Sequence, residues 1–160
     1  MDRKKQVLFV CTANICRSPM AEAIFDAVVS DFGIPYEAES AGVAALMGQP
    51  IDTNARAVLE EAGVYADEHR ARQVDEAMLE EADLVLAMTP DHAATLRRSA
   101  AGSPEKIHTL LGYAHDSLDS EGISDPYGQS MASYRASMRQ IFECVDLLVA
   151  RLRGYHGQLY

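Results

Sequence analysis

This 160-residue sequence is short of cysteine, of positive charge and of long apolar runs. Its three cysteines are too few, and odd in number, for a disulfide framework, which favours a reducing compartment. It has 14 lysine and arginine residues against 24 aspartate and glutamate residues, and the net charge of −10 argues against nucleic acid or an anionic membrane as a partner. No apolar stretch approaches the length that crosses a bilayer.

The bulk composition is that of an ordinary globular protein, with 48% apolar and 24% charged residues. The length predicts a single domain over residues 1–160, which can bury a core without disulfides or a structural metal. The basic start is followed by an apolar run that is too short for a signal peptide. We therefore expect a cytoplasmic protein, and a monomer is the default expectation for its oligomeric state.

Strands and helices alternate along the chain. A continuous apolar run, Val7–Val10, predicts a strand buried on both faces, as in parallel sheets. Three further strands are predicted at Tyr36–Ser40, Asp83–Met88 and Lys106–Leu111. This order predicts an α/β fold of three layers, in which helices flank a four-stranded parallel sheet.

Capping residues and apolar spacing mark the helices. Ser18 and Pro19 predict the start of the first helix, with Ser18 as its cap. Further helices are predicted from about Asp52 to Gly63, from Asp75 to Glu81, after Thr89-Pro90, and from Met131 to Leu152. Residues 112–129 have the composition of a long loop, which inside a compact domain is more often functional than idle.

The loop from Cys11 to Ser18 carries the candidate chemistry. It joins the first predicted strand to the first predicted helix, and ligands of open α/β sheets bind beyond the carboxyl ends of the strands. A loop that enters a helix N-terminus gathers free backbone N–H groups and the positive end of the helix dipole. The segment therefore predicts an anion-binding site that follows the first strand.

The side chains of this loop fit attack on phosphorus by sulfur. A helix N-terminus and a nearby arginine both stabilise a thiolate, so Cys11 can be the nucleophile. Arg17, six positions later, can hold two phosphoryl oxygens with its planar guanidinium. Ser18 can donate a hydrogen bond to the Cys11 sulfur, and Asn14 tolerates the left-handed backbone that a tight loop needs.

The cysteines have other possible roles. Cys11 and Cys16 could bind a metal ion, but no second cysteine or histidine pair has suitable spacing. Cys11 could also be a buried structural residue, although that would place a thiol beside Arg17 without purpose. We also hypothesise that Cys16 forms a disulfide with Cys11 under oxidation and so shields the nucleophile. Cys144 falls on the apolar stripe of the last helix and is expected to be inert.

The loop and the residues after it, Ser18-Pro19-Met20-Ala21-Glu22, resemble the low-molecular-weight protein tyrosine phosphatases. The resemblance covers nearly the whole chain, because further landmarks of that family follow in order: Ser40-Ala41-Gly42, His69-Arg70-Ala71-Arg72 and Asp125-Pro126-Tyr127. One departure is Ala13, where the family usually has glycine. If that position needs positive φ, alanine costs about 1 kcal/mol there.

The resemblance implies the general acid. Composition alone favours Asp125 only weakly over Asp116 or Asp119, because an acidic loop residue is usually just solvated. The resemblance assigns the role to Asp125, which would protonate the leaving phenolate and then act as base for the water that hydrolyses a phosphocysteine. No cofactor or metal is implied, since the loop supplies the positive charge that other phosphatases take from metal ions.

Residues around the loop receive roles from the same resemblance. Ser40 and His69 are implied to form a buried network with Asn14, and Leu46 and Tyr127 to line the entrance of the substrate groove. From the sequence alone, His69 could be an ordinary surface or core histidine, and Tyr127 an aromatic anchor of its loop. Besides Cys11 and Arg17, the implied phosphate-binding loop comprises Thr12, Ala13, Asn14, Ile15, Cys16 and Ser18.

The implied activity is hydrolysis of tyrosine-phosphorylated proteins through a phosphocysteine on Cys11. Its nearest rival is a protein arginine phosphatase, a relative that carries threonine where this chain has Ile15, and an apolar wall suits an aromatic ring better than a guanidinium. An arsenate reductase would need a pair of relay cysteines after about residue 75, where this chain has only Cys144. A non-catalytic phosphopeptide-binding module is the third alternative, although Cys11, Arg17 and Asp125 are all present.

Overall fold

A computed structural model describes residues 3–99, 103–117 and 121–154. The strands are β1 (Lys5–Cys11), β2 (Tyr36–Gly42), β3 (Leu84–Ala87) and β4 (Ile107–Thr109). The α-helices are α1 (Arg17–Phe32), α2 (Thr53–Glu61), α3 (Glu76–Glu81), α4 (Pro90–Ser99), α5 (Leu110–Ala114) and α6 (Met131–Gly154). Within these ranges, no helix is both long and apolar enough to cross a membrane.

The strands of the described chain form one parallel sheet in the order β2-β1-β3-β4. The side chains of β1 alternate between its two faces. Val7 and Phe9 belong to the larger apolar core, which contains buried residues of α1 and α6, whereas Leu8 and Val10 belong to a second core with residues of α3 and α4. The predicted three-layer α/β fold is therefore confirmed.

The strand order determines where a ligand can bind. The chain leaves β1 for a helix on one face of the sheet, and it leaves the neighbouring strand β3 for a helix on the other face. Connections that diverge in this way open a crevice at the carboxyl ends of the two strands. The loop after β1 and the N-terminus of α4 meet at this crevice.

Most helix starts agree with the sequence. Asp52 caps α2, since its side chain accepts hydrogen bonds from the backbone N–H groups of Asn54 and Ala55. Pro90 begins α4, and the hydroxyl oxygen of Thr89 accepts a hydrogen bond from the N–H of His92 at 3.2 Å. Short polar side chains therefore satisfy N–H groups that the first helical turn leaves free.

Two local predictions are wrong. The first helix begins at Arg17 with Cys16 as its N-cap, whereas Ser18 is buried and its hydroxyl lies 2.9 Å from the Cys11 sulfur. The fourth strand ends at Thr109, whose side chain accepts a hydrogen bond from the N–H of Gly112 and caps α5. The hydroxyl of Ser18 therefore contacts the Cys11 sulfur, as predicted, but does not cap α1, and α5 occupies the end of the predicted strand and the start of the predicted loop.

Candidate active site

A pocket of ≈ 200 Å³ lies at the carboxyl end of β1. The residues that line it belong to the set singled out from the sequence. One group comes from the loop after β1, namely Cys11, Thr12, Ala13, Ile15, Cys16 and Arg17. Leu46, Asp125 and Tyr127 complete the wall from two other segments. Asn14 and Ser18 belong to the same loop, and Ser40 and His69 are hydrogen-bonded to Asn14, but none of these four predicted residues lines the pocket.

The carbonyl oxygens of the loop accept hydrogen bonds from the chain that follows β2. The N–H groups of Val43, Ala44, Leu46 and Asp52 donate to the carbonyls of Cys11, Thr12, Ala13 and Ile15, respectively, at 2.8–3.1 Å. A loop whose carbonyls are occupied on one side presents its own N–H groups to the other side, as in the anion-binding concavities of backbone amides. Backbone N–H groups of the segment after β2 therefore hold in place the loop whose own N–H groups would bind a phosphate.

Asn14 fixes the tightest point of the loop. It is fully buried and has a φ of 61°, in the left-handed region that asparagine tolerates. Its side-chain amide donates to the hydroxyls of Ser18 at 2.8 Å and Ser40 at 3.0 Å, and its side-chain oxygen accepts from the N–H of Arg72. Ala13 is not among the described residues with positive φ, so the replacement of the family glycine carries no left-handed strain there.

The Cys11 sulfur is held beside a hydroxyl that can donate to it. Cys11 is buried, and its Sγ lies 2.9 Å from Ser18 Oγ. Ser18 Oγ accepts a hydrogen bond from Asn14, and its own hydrogen can go to the sulfur at 2.9 Å or to the more distant carbonyl oxygen of Ala41 at 3.5 Å. The sulfur thus lies beside a hydrogen-bond donor and close to the N-terminus of α1, which begins at Arg17.

Arg17 and Asp125 meet at the opposite side of the pocket. Arg17 is buried; its Nη1 donates to the carbonyl of Ile123 at 3.0 Å, and its Nη2 lies 3.5 Å from Asp125 Oδ2. The N–H of Ile123 donates to the carbonyl of Met88 at the end of β3, which fixes this loop to the sheet. Asp125 keeps about half of its side chain in solvent.

The other candidate acids lie elsewhere. Asp116 does not line the pocket, and its carboxylate lies 3.9 Å from the Arg151 guanidinium. Asp119 falls outside the described residues. Asp125 is thus the described candidate whose position fits a proton donor to a bound phosphate ester.

A hydrogen-bonded network lies behind the loop. Ser40 and His69 were predicted to belong to it, whereas Glu22 and Arg72 were not. His69 Nε2 lies 2.7 Å from the carbonyl oxygen of Asn14, so this nitrogen carries the proton and donates it. Burial lowers the pKa of His69. Ser40 donates to the carboxylate of Glu22 at 2.6 Å, and burial raises the pKa of Glu22. Glu22 and Arg72 both belong to the motifs quoted above, which was the available signal for them.

Comparison with known proteins places this arrangement in a family. The model of the low molecular weight phosphotyrosine protein phosphatases matches residues 6–156. The chain belongs to this family. The resemblance drawn from the motifs is confirmed, and membership makes the chain a phosphatase with a cysteine nucleophile.

Individual relatives of this phosphatase cover most of its length. A low molecular weight protein-tyrosine-phosphatase of Streptomyces coelicolor is 36% identical over 155 residues, which are 93% of this chain and 90% of that protein. A protein-arginine-phosphatase of Bacillus subtilis is 33% identical over 147 residues, 92% of this chain and 96% of its own. The crystal structure of the low molecular weight protein tyrosine phosphatase from T. tengcongensis, 39% identical, has a TM-score of 0.88 and covers 93% of this chain and 100% of that one.

The remaining cysteines of the phosphatase are held as thiols. Burial, and then the charge of Asp52, raise the pKa of Cys16 to about 12, and burial raises the pKa of Cys144 to about 11. Because a thiolate is the form that attacks a sulfenic acid produced by an oxidant, the Cys11–Cys16 disulfide stays a prediction that requires Cys16 to lose its proton. Within the described ranges, no three histidine, cysteine, aspartate or glutamate side chains cluster as metal ligands would.

Gly42, the last residue of β2, allows the phosphate loop to pack against the sheet. A Cβ there would overlap the carbonyl oxygen of Thr12 and lie 3.1 Å from the N of Asn14. Both are backbone atoms, which cannot swing aside. We expect Gly42→Ala to lower the free energy of unfolding by about 1–3 kcal/mol and to weaken competitive inhibition by inorganic phosphate. Gly154→Ala, whose Cβ meets nothing within 4 Å, is the control, and equal behaviour of the two variants in urea unfolding would contradict this reading.

Proposed function

We propose that this phosphatase hydrolyses phosphotyrosine in proteins through a phosphocysteine intermediate on Cys11. The observation that carries the proposal is the meeting of Cys11, Arg17 and Asp125 on one small pocket beside an apolar wall. A nucleophile, a cation for the phosphoryl oxygens and a proton donor are the groups that displacement at a phosphate monoester needs. Net charge elsewhere is negative, so the loop is a local positive site in an acidic protein.

In the first step the backbone N–H groups of the loop and the Arg17 guanidinium hold the phosphoryl oxygens. The Cys11 thiolate attacks phosphorus as the bond from phosphorus to the phenolic oxygen breaks. Asp125 gives its proton to that oxygen, so a neutral phenol leaves. In the second step the Asp125 carboxylate takes a proton from water, whose oxygen bonds to phosphorus while the sulfur–phosphorus bond breaks. The Ser18 hydroxyl then donates to the departing thiolate, and inorganic phosphate is released.

The apolar wall supports an aromatic substrate. It consists of Ile15, which is nearly buried, and of Leu46 and Tyr127, which remain about half exposed at the rim. A phenyl ring that enters with its phosphate would cover these exposed side chains, and Tyr127 can stack on it. The curated relatives alone do not decide the substrate, because tyrosine and arginine phosphatases match with 36% and 33% identity.

Ile15 is the residue on which the choice between these substrates mostly depends. We expect Ile15→Thr to lower the ratio of kcat/KM for phosphotyrosine over phosphoarginine peptides by about tenfold or more, because a hydroxyl can contact a guanidinium. Ile15→Val, which has the shape of threonine without its hydroxyl, should keep the original ratio. The measurement is steady-state hydrolysis of both peptides, and an unmodified protein that prefers phosphoarginine would reverse the assignment in favour of the arginine phosphatase.

The other two alternatives receive less support. Cys144, the third cysteine, is buried in α6 and does not line the pocket, so it does not provide the relay of an arsenate reductase. A binding module without activity has no need of Asp125 beside the phosphate site. Turnover of an aryl phosphate by the unmodified protein separates a phosphatase from such a module.

We also propose a cytoplasmic location and a single phosphatase domain over residues 1–160. All three cysteines are free, and a thiolate nucleophile needs reducing surroundings to persist. The match to the family over residues 6–156 supports one domain. Tyrosine-phosphorylated proteins are the proposed substrates, and the monomer remains a prediction.

A further inference from the structure

A buried histidine contacts the pocket wall from the second layer of helices. His92, in the first turn of α4, places Nε2 2.8 Å from the hydroxyl oxygen of Thr12. His92 is 7% exposed, and its backbone N–H donates to the hydroxyl oxygen of Thr89. Thr12 directly follows the nucleophile, is exposed to solvent and lines the pocket. The steps described so far use neither side chain.

The proton of His92 can be assigned from its surroundings. The other ring nitrogen, Nδ1, is buried and finds no hydrogen-bond partner among the described residues. A buried N–H without an acceptor is rarer in proteins than a bare acceptor, so the proton belongs on Nε2, which donates to Thr12. Burial, and then the charge of Arg17, lower the pKa of His92 to about 4, while Asp91 and Asp125 act in the opposite direction. The ring is therefore neutral near pH 7, and it lies close enough to Arg17 and Asp125 to respond to their charges.

We propose that Thr12, held by His92, positions the water that hydrolyses the phosphocysteine. This inference rests on the proposed phosphatase mechanism. In an in-line displacement the leaving oxygen of the first step and the attacking water of the second occupy the same place, opposite the Cys11 sulfur. In the first step the phenolic oxygen of the substrate occupies this place. It is held in position because the pocket binds both the phosphate and the ring to which it is attached. Water has no such attachment, so its orientation must come from the protein.

Two hydrogen-bond acceptors that line the pocket, on Asp125 and Thr12, can serve such a water. Asp125 accepts the hydrogen that is transferred as the oxygen–phosphorus bond forms and the sulfur–phosphorus bond breaks. Thr12 Oγ1, which receives the His92 proton on one lone pair, has a second lone pair for the other hydrogen. Arg17 cannot take this role, because a guanidinium has no acceptor. With both hydrogens held, the lone pair of the water points at phosphorus.

Methanol provides a sharp test, because its hydroxyl has one hydrogen where water has two. Methanol can donate to Asp125 and attack without using Thr12. With p-nitrophenyl phosphate as substrate in aqueous methanol, we expect Thr12→Val and His92→Leu to raise the ratio of methyl phosphate to inorganic phosphate about tenfold, the effect of one lost neutral hydrogen bond. The ratio is read by phosphorus NMR. It is independent of which step limits the overall rate.

Conservative variants separate positioning from folding. Thr12→Ser keeps the hydroxyl, and His92→Gln keeps an N–H where Nε2 stood, so both should retain the original product ratio. Thr95→Val, on the same helix and away from the pocket wall, is the matched control. The double variant Thr12→Val with His92→Leu should match Thr12→Val alone, because His92 acts through Thr12.

Each outcome decides one question. An unchanged product ratio in Thr12→Val overturns the role of Thr12, and a double variant whose ratio exceeds that of Thr12→Val overturns the role of His92 as its support. Unmodified protein that releases no p-nitrophenol contradicts the phosphatase reaction itself, on which this inference rests.

Discussion

Replacement of Cys11 by serine is expected to abolish turnover of aryl phosphates, with a fall in kcat of at least about 10⁴-fold. A serine hydroxyl is a much weaker nucleophile than a cysteine thiol, and the neighbouring Ser18 hydroxyl is not a base that could remove its proton. The backbone N–H groups and Arg17 are unchanged, so the variant should still bind inorganic phosphate. Initial rates with p-nitrophenyl phosphate and calorimetric titration with phosphate measure the two properties.

Cys144→Ser is the matched control for this substitution. Its thiol is as buried as that of Cys11 but lies in α6, outside the pocket. We expect it to keep the activity of the unmodified protein. Residual turnover in Cys11→Ser at more than about one part in 10³ would point to a different nucleophile.

Asp125→Asn is expected to lower kcat for phosphotyrosine peptides by about 10²–10⁴-fold, the usual contribution of a positioned acid or base. The loss in the first step should depend on the leaving group. Phenolate needs a proton to leave, whereas dinitrophenolate is stable without one. With 2,4-dinitrophenyl phosphate, the variant should therefore release dinitrophenol in a rapid first turnover and then stall, because the second step still needs Asp125 as base.

Asp116→Asn tests the specificity of this effect. Asp116 is a rival acid in the same stretch of chain, yet it lies near Arg151 and away from the pocket. Its replacement should leave both steps unaffected. If Asp116→Asn slowed phosphotyrosine hydrolysis as much as Asp125→Asn, the placement of the acid would be wrong.

The sequence correctly predicted the strands and helices whose formation depends mainly on their own residues. The apolar run at Val7–Val10 and the stripe of α6 each follow from the spacing of their own residues, and both elements are present in the structure. Strand order is different, because nothing in the sequence of β3 states that it pairs with β1. For this reason His92 was missed: its approach to Thr12 follows only once β3 lies beside β1.

The errors share one physical cause. Ser18 and Thr109 both carry hydroxyl groups that can cap a helix or bond elsewhere, and the two options differ little in free energy. At Ser18 a buried sulfur and an asparagine amide take the hydroxyl, so it does not cap α1. At Thr109 the adjacent N–H of Gly112 takes it, which ends the strand. In both cases the partner of the hydroxyl lies within seven residues along the chain, and residue type alone does not specify which of the nearby groups it bonds.

The bracing of the phosphate loop by backbone bears on how such enzymes diversify. Because the N–H groups of residues 43–52 hold the loop carbonyls, the shape of the anion cradle does not depend on the side chains at positions 13 and 15. Substitutions at positions 13 and 15 can therefore occur while the reaction at phosphorus is retained. On the proposed role of Ile15, a duplicated copy can then change its substrate through a single replacement at that position. The loop that binds the phosphate and the side chains that contact the rest of the substrate can therefore change independently of each other.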